Sequence, residues 1–131
     1  TGATYKRPDG IIGVNQNKCI GCGYCVVACP YRQRTVNEKK PGYFSAKGLT
    51  KLEEKGYKHH QHGTVTKCGF CHDRVAQGKQ PACVVACPAK ARLFGDLQDP
   101  ASEAAQALGR YGAYRLLANL GTEPSVYYIP E

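Results

Sequence analysis

The chain has no methionine and no tryptophan, and no run of about 18 apolar residues occurs anywhere in its 131. The last absence excludes a hydropathy-type membrane helix, so no direct membrane span is expected. Acidic residues are few: 10 Asp and Glu stand against 18 Lys and Arg, a formal charge of +8. No nucleophile–base set and no glycine-rich nucleotide loop can be picked out, so the chain does not read as an enzyme by itself. Thr1-Gly2-Ala3 opens it without an initiator methionine, and nothing there reads as a signal peptide or export motif. No cysteine is left over either. All eight fall into two motifs, and these organise everything else.

The first motif is Cys19, Cys22, Cys25 and Cys29, in the spacing C-x2-C-x2-C-x3-C-P. That is the run of bacterial iron–sulfur proteins. Its first three thiolates sit on a tight loop suited to one corner of a cubane. Gly21 and Gly23 let the backbone approach the sulfurs and aim N–H groups at them. Ile20, Val26 and Val27 are expected to give apolar cover, which helps set a reduction potential. The fourth cysteine lies too far along to serve the same cube, and in two-cluster ferredoxins it ligates the other one. The motif therefore needs a partner. Cys68, Cys71, Cys83 and Cys87 supply it, as C-x2-C-x11-C-x3-C-P. Both motifs end in the same six residues, Cys25-Val-Val-Ala-Cys29-Pro30 and Cys83-Val-Val-Ala-Cys87-Pro88, an internal repeat that marks two related half-sites.

Eight cysteines also suit disulfides in an oxidising compartment, or zinc. Neither requires a repeated C-V-V-A-C-P ending, so iron–sulfur ligation is the reading the residues favour. Metal ligation contributes folding free energy directly, so a small apolar core is enough. Lys18, Arg32, Arg34, Lys67, Arg74, Lys90 and Arg92 flank the cysteines. Positive charge there favours the reduced, more negative cluster, although each of these residues reads equally well as solvated surface.

Taken in order, Thr4 to Arg7 and Ile11 to Val14 read as a hairpin around Pro8-Asp9-Gly10. A short helix is expected over 25–29, carrying Cys29. Arg34 to Asn37 reads as a strand and Leu49 to Lys55 as a brief helix. His59, His60 and His62 read as a solvated loop rather than as ligands. His72 to Gln77 suggests a helical turn and Arg92 to Gly95 a strand. Asp99-Pro100 reads as an N-cap and first helical position, starting a helix to Leu108. A second helix is expected over Tyr111 to Leu120 and a last strand over Ser125 to Ile129. The division by residue is a hairpin and first motif over 1–30, a partner-contact insertion over 31–67, the second motif and strand over 68–95, and a helical tail over 96–131. The fold class is α+β, a bacterial-type ferredoxin-like iron–sulfur fold of short strands, short helices and long loops. Pro88-Ala89-Lys90 and the opening Thr1-Gly2-Ala3 share a grammar, which predicts a further Cys-Pro directly upstream of Thr1.

Lys18 to Tyr31, Lys67 to Cys71, Pro81 to Pro88, Phe94 to Pro100, Ser102-Glu103 and Val126 to Ile129 resemble the iron–sulfur β subunits of molybdopterin oxidoreductases. This is the dimethyl sulfoxide, polysulfide, tetrathionate and arsenate reductase class. The resemblance implies an electron-transfer subunit that works through [4Fe-4S] clusters. Its partners would be a molybdopterin catalytic subunit and a membrane anchor subunit or cytochrome, with no nucleic acid. It implies a membrane-associated complex, periplasmic or alternatively cytoplasmic. Members carry four motifs and four clusters, of which this chain matches the third and fourth motifs. By the family's pairing, Cys19, Cys22 and Cys25 share a cluster with a cysteine upstream of Thr1. Cys68, Cys71 and Cys83 share one with a cysteine of the first family motif, and Cys29 and Cys87 complete the upstream clusters. A self-contained pairing instead joins Cys19, Cys22 and Cys25 with Cys87, and Cys68, Cys71 and Cys83 with Cys29. Two rivals stand beside this reading. A free two-cluster ferredoxin needs neither the 31–67 insertion nor the 96–131 tail, and a zinc-binding nucleic-acid module would be colourless.

Overall fold

A computed structural model of the chain describes residues 1–38 and 42–130. The chain divides into two compact units, Thr1–His72 and Asp73–Glu131. Strands and helices are short, and among the described residues the strands all lie in the first unit, giving an α+β architecture.

The first unit begins with the expected hairpin. Strands β1 (Thr4–Lys6) and β2 (Ile12–Val14) pair antiparallel, Thr4 opposite Val14 and Lys6 opposite Ile12. The turn closes because Gly10 takes a positive φ of 82° and its N–H donates to the Arg7 carbonyl at 3.0 Å. The Asp9 carboxylate accepts from the Ile11 N–H at 3.2 Å and from Arg7 Nε at 3.0 Å. Tyr5 lays its ring over Gly13, where a Cβ would come within 2.6 Å of the ring.

The 31–67 segment leaves and returns through one small ladder. Strands β3 (Thr35–Val36) and β4 (Val65–Thr66) pair antiparallel, Val36 opposite Val65. Asn37 and Thr64 continue the ladder, and the buried Thr64 hydroxyl is satisfied by the Gln61 carbonyl at 2.6 Å. Fixing both ends limits the entropy of the excursion between them. Within it lies helix α2 (Lys51–Tyr57). Thr50 caps it in a capping box: Thr50 Oγ1 accepts from the Glu53 N–H, and the Glu53 carboxylate accepts from the Thr50 N–H. His59, His60 and His62 are exposed on the loop that follows, as expected. Part of the turn-rich stretch from Glu38 to Gly48 lies outside the described residues.

In the second unit the tail departs from the expectation. Helix α5 (Glu103–Arg110) starts three residues later than Asp99-Pro100 suggests, with Ser102 as its N-cap accepting from the Ala105 N–H at 3.1 Å. Asp99 instead closes the preceding turn, taking the Ala101 N–H at 2.9 Å. No helix covers Tyr111 to Leu120. Tyr114 exchanges a pair of backbone hydrogen bonds with Tyr128, both 2.9 Å, and only a 3-10 turn at Ala118–Leu120 remains. Leu117 takes a left-handed φ of 51°, which no continuous helix accommodates. The last strand shrinks to that single bridge at Tyr128, and Arg92 to Gly95 forms no strand.

The buried core is small, as ligation-driven folding allows. Ala3, Thr64 and Val65 form it in the first unit, and Pro81 and Ala107 are buried in the second.

Candidate metal centre

The first three cysteines of the first motif line one hollow of about 240 Å³. Beside the cysteine loop itself, with Ile20 and Tyr24, its walls come from the N-terminal stretch through Thr4 of β1, from Val14 at the end of β2 and from Val65 of β4, 1% exposed. Asn15 accepts from the Asn17 N–H at 3.0 Å and caps the 3-10 turn that delivers Cys19. Val65 pairs with Val36, and its own N–H points at the sulfur of Cys19, 3.4 Å away. The Val65 N–H and then the Gly21 N–H lower the pKa of the Cys19 thiol, against a smaller opposing effect of burial. Such N–H groups favour the thiolate, the form that ligates metal.

Gly21 and Gly23 both take positive φ, 69° and 72°. At Gly21 the need is double, because a Cβ there would collide with the carbonyl oxygen of Gly63. Gly23 caps helix α1 (Tyr24–Val27). Cys25 therefore stands on the first turn of a helix rather than on the loop. Cys29 lies two residues beyond that helix, not within it. Of the expected apolar cover, Ile20 lines the hollow but Val26 and Val27 do not, Val27 being 87% exposed, and Val14 and Val65 line it as well.

Cys68-Gly-Phe-Cys71 leads into helix α3 (His72–Val75), with left-handed φ at Phe70 and Cys71. Lys67, just before it, is half-buried. Its ammonium donates to the carbonyl of Cys68 at 2.7 Å and to that of Ile12 on β2. Burial depresses its pKa; the charge of Cys68 opposes this, Arg34 adds to it and Cys29 opposes it again.

The second unit repeats the first motif's end in backbone as well as sequence. Helix α4 (Ala82–Val85) carries Cys83 on its first turn, as α1 carries Cys25. The amide three residues after the last cysteine turns back to it in both: Arg32 N–H to the Cys29 carbonyl at 3.1 Å, Lys90 N–H to the Cys87 carbonyl at 3.2 Å. Arg32 and Lys90 share the left-handed φ this turn requires, 51° and 50°. The repeats differ at the helix start. Left-handed Gly23 admits the short loop from Cys22, whereas Pro81 admits the eleven-residue spacer.

All eight thiols are free of disulfide bonds. Among the described residues no three His, Cys, Asp or Glu side chains converge on a point that would hold a single metal ion. A tetrahedral zinc site needs four donors around one point, whereas a four-iron cube takes one thiolate per iron around a larger body. Three thiols facing one part-apolar hollow, with an N–H aimed at a sulfur, fit the second group. Two features here are absent from the cysteine spacing. The Val65 N–H is a backbone donor with no sequence signature, and Lys67 is one flanking cation among seven.

Two iron–sulfur family profiles match the chain: a 4Fe-4S binding domain over residues 11–34 and a 4Fe-4S dicluster domain over residues 53–97. Among relatives, it is 45% identical over 127 residues to a Halobacterium salinarum protein provisionally named as the iron-sulfur B subunit of a dimethyl sulfoxide reductase. That alignment takes in 97% of this chain and 47% of the relative. It is 40% identical over 137 residues to the B subunit of sulfite dehydrogenase from Allochromatium vinosum (99% and 48%). It is 37% identical over 131 residues to the B polypeptide of polysulfide reductase from Wolinella succinogenes (99% and 57%). The chain thus spans about half the length of the curated relatives it matches. Both cysteine motifs thus lie inside segments that match 4Fe-4S domain models, and nearly all of the chain is similar to the B subunits of these oxidoreductases.

Proposed function

We propose that this chain is an electron-transfer subunit of an oxidoreductase complex, not a catalyst by itself. It would relay single electrons between a molybdopterin catalytic subunit and a membrane anchor subunit or cytochrome. Its fold is then a bacterial-type ferredoxin-like one. The observation that carries the reading is the hollow of Cys19, Cys22 and Cys25 with the Val65 N–H on sulfur. Cys19, Cys22, Cys25, Cys29, Cys68, Cys71, Cys83 and Cys87 would be the ligands, and a bound [4Fe-4S] cluster supplies a one-electron couple. The chain's own residues do the rest. Val65 and Gly21 present amides to a thiolate, Val14 and Val65 line the hollow with apolar surface, and the two glycines of the loop let the backbone come close. None of the helices among the described residues is long and apolar enough to cross a membrane. A periplasmic position, reached folded in company with the catalytic subunit, is the placement we favour.

Iron and acid-labile sulfide per chain, measured in the native complex purified without oxygen, test this. About sixteen irons mean four clusters and about eight mean two. Almost none removes the electron-transfer reading and brings zinc forward.

A further inference from the structure

Seven cations flank the cysteines, and they are not equivalent. Lys18, Arg32, Lys90 and Arg92 are exposed, where salt screens a charge within about 8 Å. Arg34 is turned to the Thr4 hydroxyl at 2.9 Å, and Arg74 to the Gln80 carbonyl at 3.0 Å. Lys67 alone joins a cysteine to another element. Its ammonium is held by the carbonyls of Cys68 and of Ile12 on β2, beside an apolar pocket lined by Ile11, Ile12 and Val14. A half-buried charge acts over a lower effective dielectric than an exposed one, and two carbonyls have already fixed its position.

We propose that Lys67 is a positioning charge for electron transfer, which raises the reduction potential of the iron–sulfur group that Cys68 ligates. This rests on the ligand assignment proposed above. Reduction adds negative charge to a cluster, and a fixed ammonium beside its thiolates stabilises that state more than the oxidised one. The same side chain pins the hairpin to the second motif, so a loss of stability on mutation does not by itself distinguish a purely structural role. The potential does.

The test is an EPR-monitored redox titration of the intact native protein, as wild type, Lys67→Arg, Lys67→Gln and Lys67→Met. Removing the charge is expected to shift the reduced-to-oxidised ratio of at least one cluster about tenfold towards oxidised, close to 59 mV for one electron. Lys67→Arg, which keeps charge and donors, is expected to stay near wild type. Lys67→Gln keeps a donor for the Ile12 and Cys68 carbonyls, which separates charge from anchoring. Unmoved potentials in both Lys67→Gln and Lys67→Met overturn the inference and leave a structural pin. A shift in Lys67→Arg equal to that in Lys67→Gln overturns it too, since donor geometry and not charge would then be responsible. A wild-type protein with no cluster signal fails at the ligand assignment instead, and takes this inference with it.

Discussion

Two glycines two positions apart, in one loop, carry different burdens. Gly23 takes a positive φ with nothing within 4 Å of where an added methyl would sit, so alanine there meets only left-handed strain, about 1–2 kcal/mol. Gly21 has the same sign of φ and also lies against the Gly63 carbonyl, so alanine must shift backbone on one side or the other. Gly21→Ala is therefore expected to cost clearly more than Gly23→Ala, by about 1–3 kcal/mol. Chemical denaturation of the two variants, side by side, checks the order. Equal losses would mean that the loop holding Gly63 yields freely. The expectation from sequence was that both glycines serve close approach to sulfur. Gly21 does so, through its N–H towards Cys19, but its tightest neighbour is a carbonyl 42 positions away, which no local spacing reveals.

At the scale of elements, α2 depends on one threonine and one carboxylate. Thr50→Ala removes the acceptor for the Glu53 N–H and is expected to cost about 1 kcal/mol of local stability. Amide exchange across Lys51–Tyr57 reads it directly, and unchanged protection would show that the cap is dispensable. The Glu53 carboxylate accepts from the Thr50 N–H, the Thr50 hydroxyl and the Tyr43 N–H, which hold its pKa below the ordinary glutamate value of 4.5. A depressed folded pKa stabilises the fold above the unfolded value, and that stability is lost as pH falls through the folded one. Acidification below about 4 is therefore expected to loosen α2 and the Tyr43 turn together, seen as faster exchange of the Tyr43 and Thr50 amides. In Glu53→Gln this acid step should disappear. Elements of this kind were readable in advance where the signal is local. Pro8-Asp9-Gly10 marks the hairpin, and the stretch from Leu49 onward marks α2 within two residues. Local signals misled where a competing partner was remote. Tyr111 to Leu120 has helix-forming residues, but Tyr114 is taken by Tyr128, fourteen positions on. Asp99-Pro100 has cap chemistry, but Ser102 holds the helix end, with its hydroxyl also donating to the Asp96 carbonyl. Strand β4 has only two residues and no run of its own, so its donation to Cys19 had no sequence trace.

For the whole molecule, the cysteines were legible and their partnership was not, because spacing along a chain fixes neighbours only within a loop. The geometry joins Cys19, Cys22 and Cys25 on one hollow, and the backbone repeat sets Cys29 and Cys87 in matching turns beyond their helices. Both features place the fourth cysteine of each motif apart from the helix that bears the third. Serine ligates iron weakly, so a Cys→Ser change should remove or alter only the cluster to which that residue belongs. Cys22→Ser and Cys29→Ser are then expected to lose different EPR signals, although they lie seven residues apart. If they lose the same one, the motif closes on a single cluster and the exchanged-cysteine reading fails. The pair Cys29→Ser and Cys68→Ser decides the remaining question. Pairing closed within this chain puts Cys29 and Cys68 on one cluster, so both variants would lose one common signal, the same one whose potential Lys67→Gln shifts. The pairing implied by the family puts them on two, so the variants would lose separate signals and Lys67→Gln would shift only the one that Cys68→Ser loses. In either case the potential shifted in Lys67→Gln and the signal lost in Cys68→Ser must belong to one cluster, since the Lys67 ammonium is held at the Cys68 carbonyl.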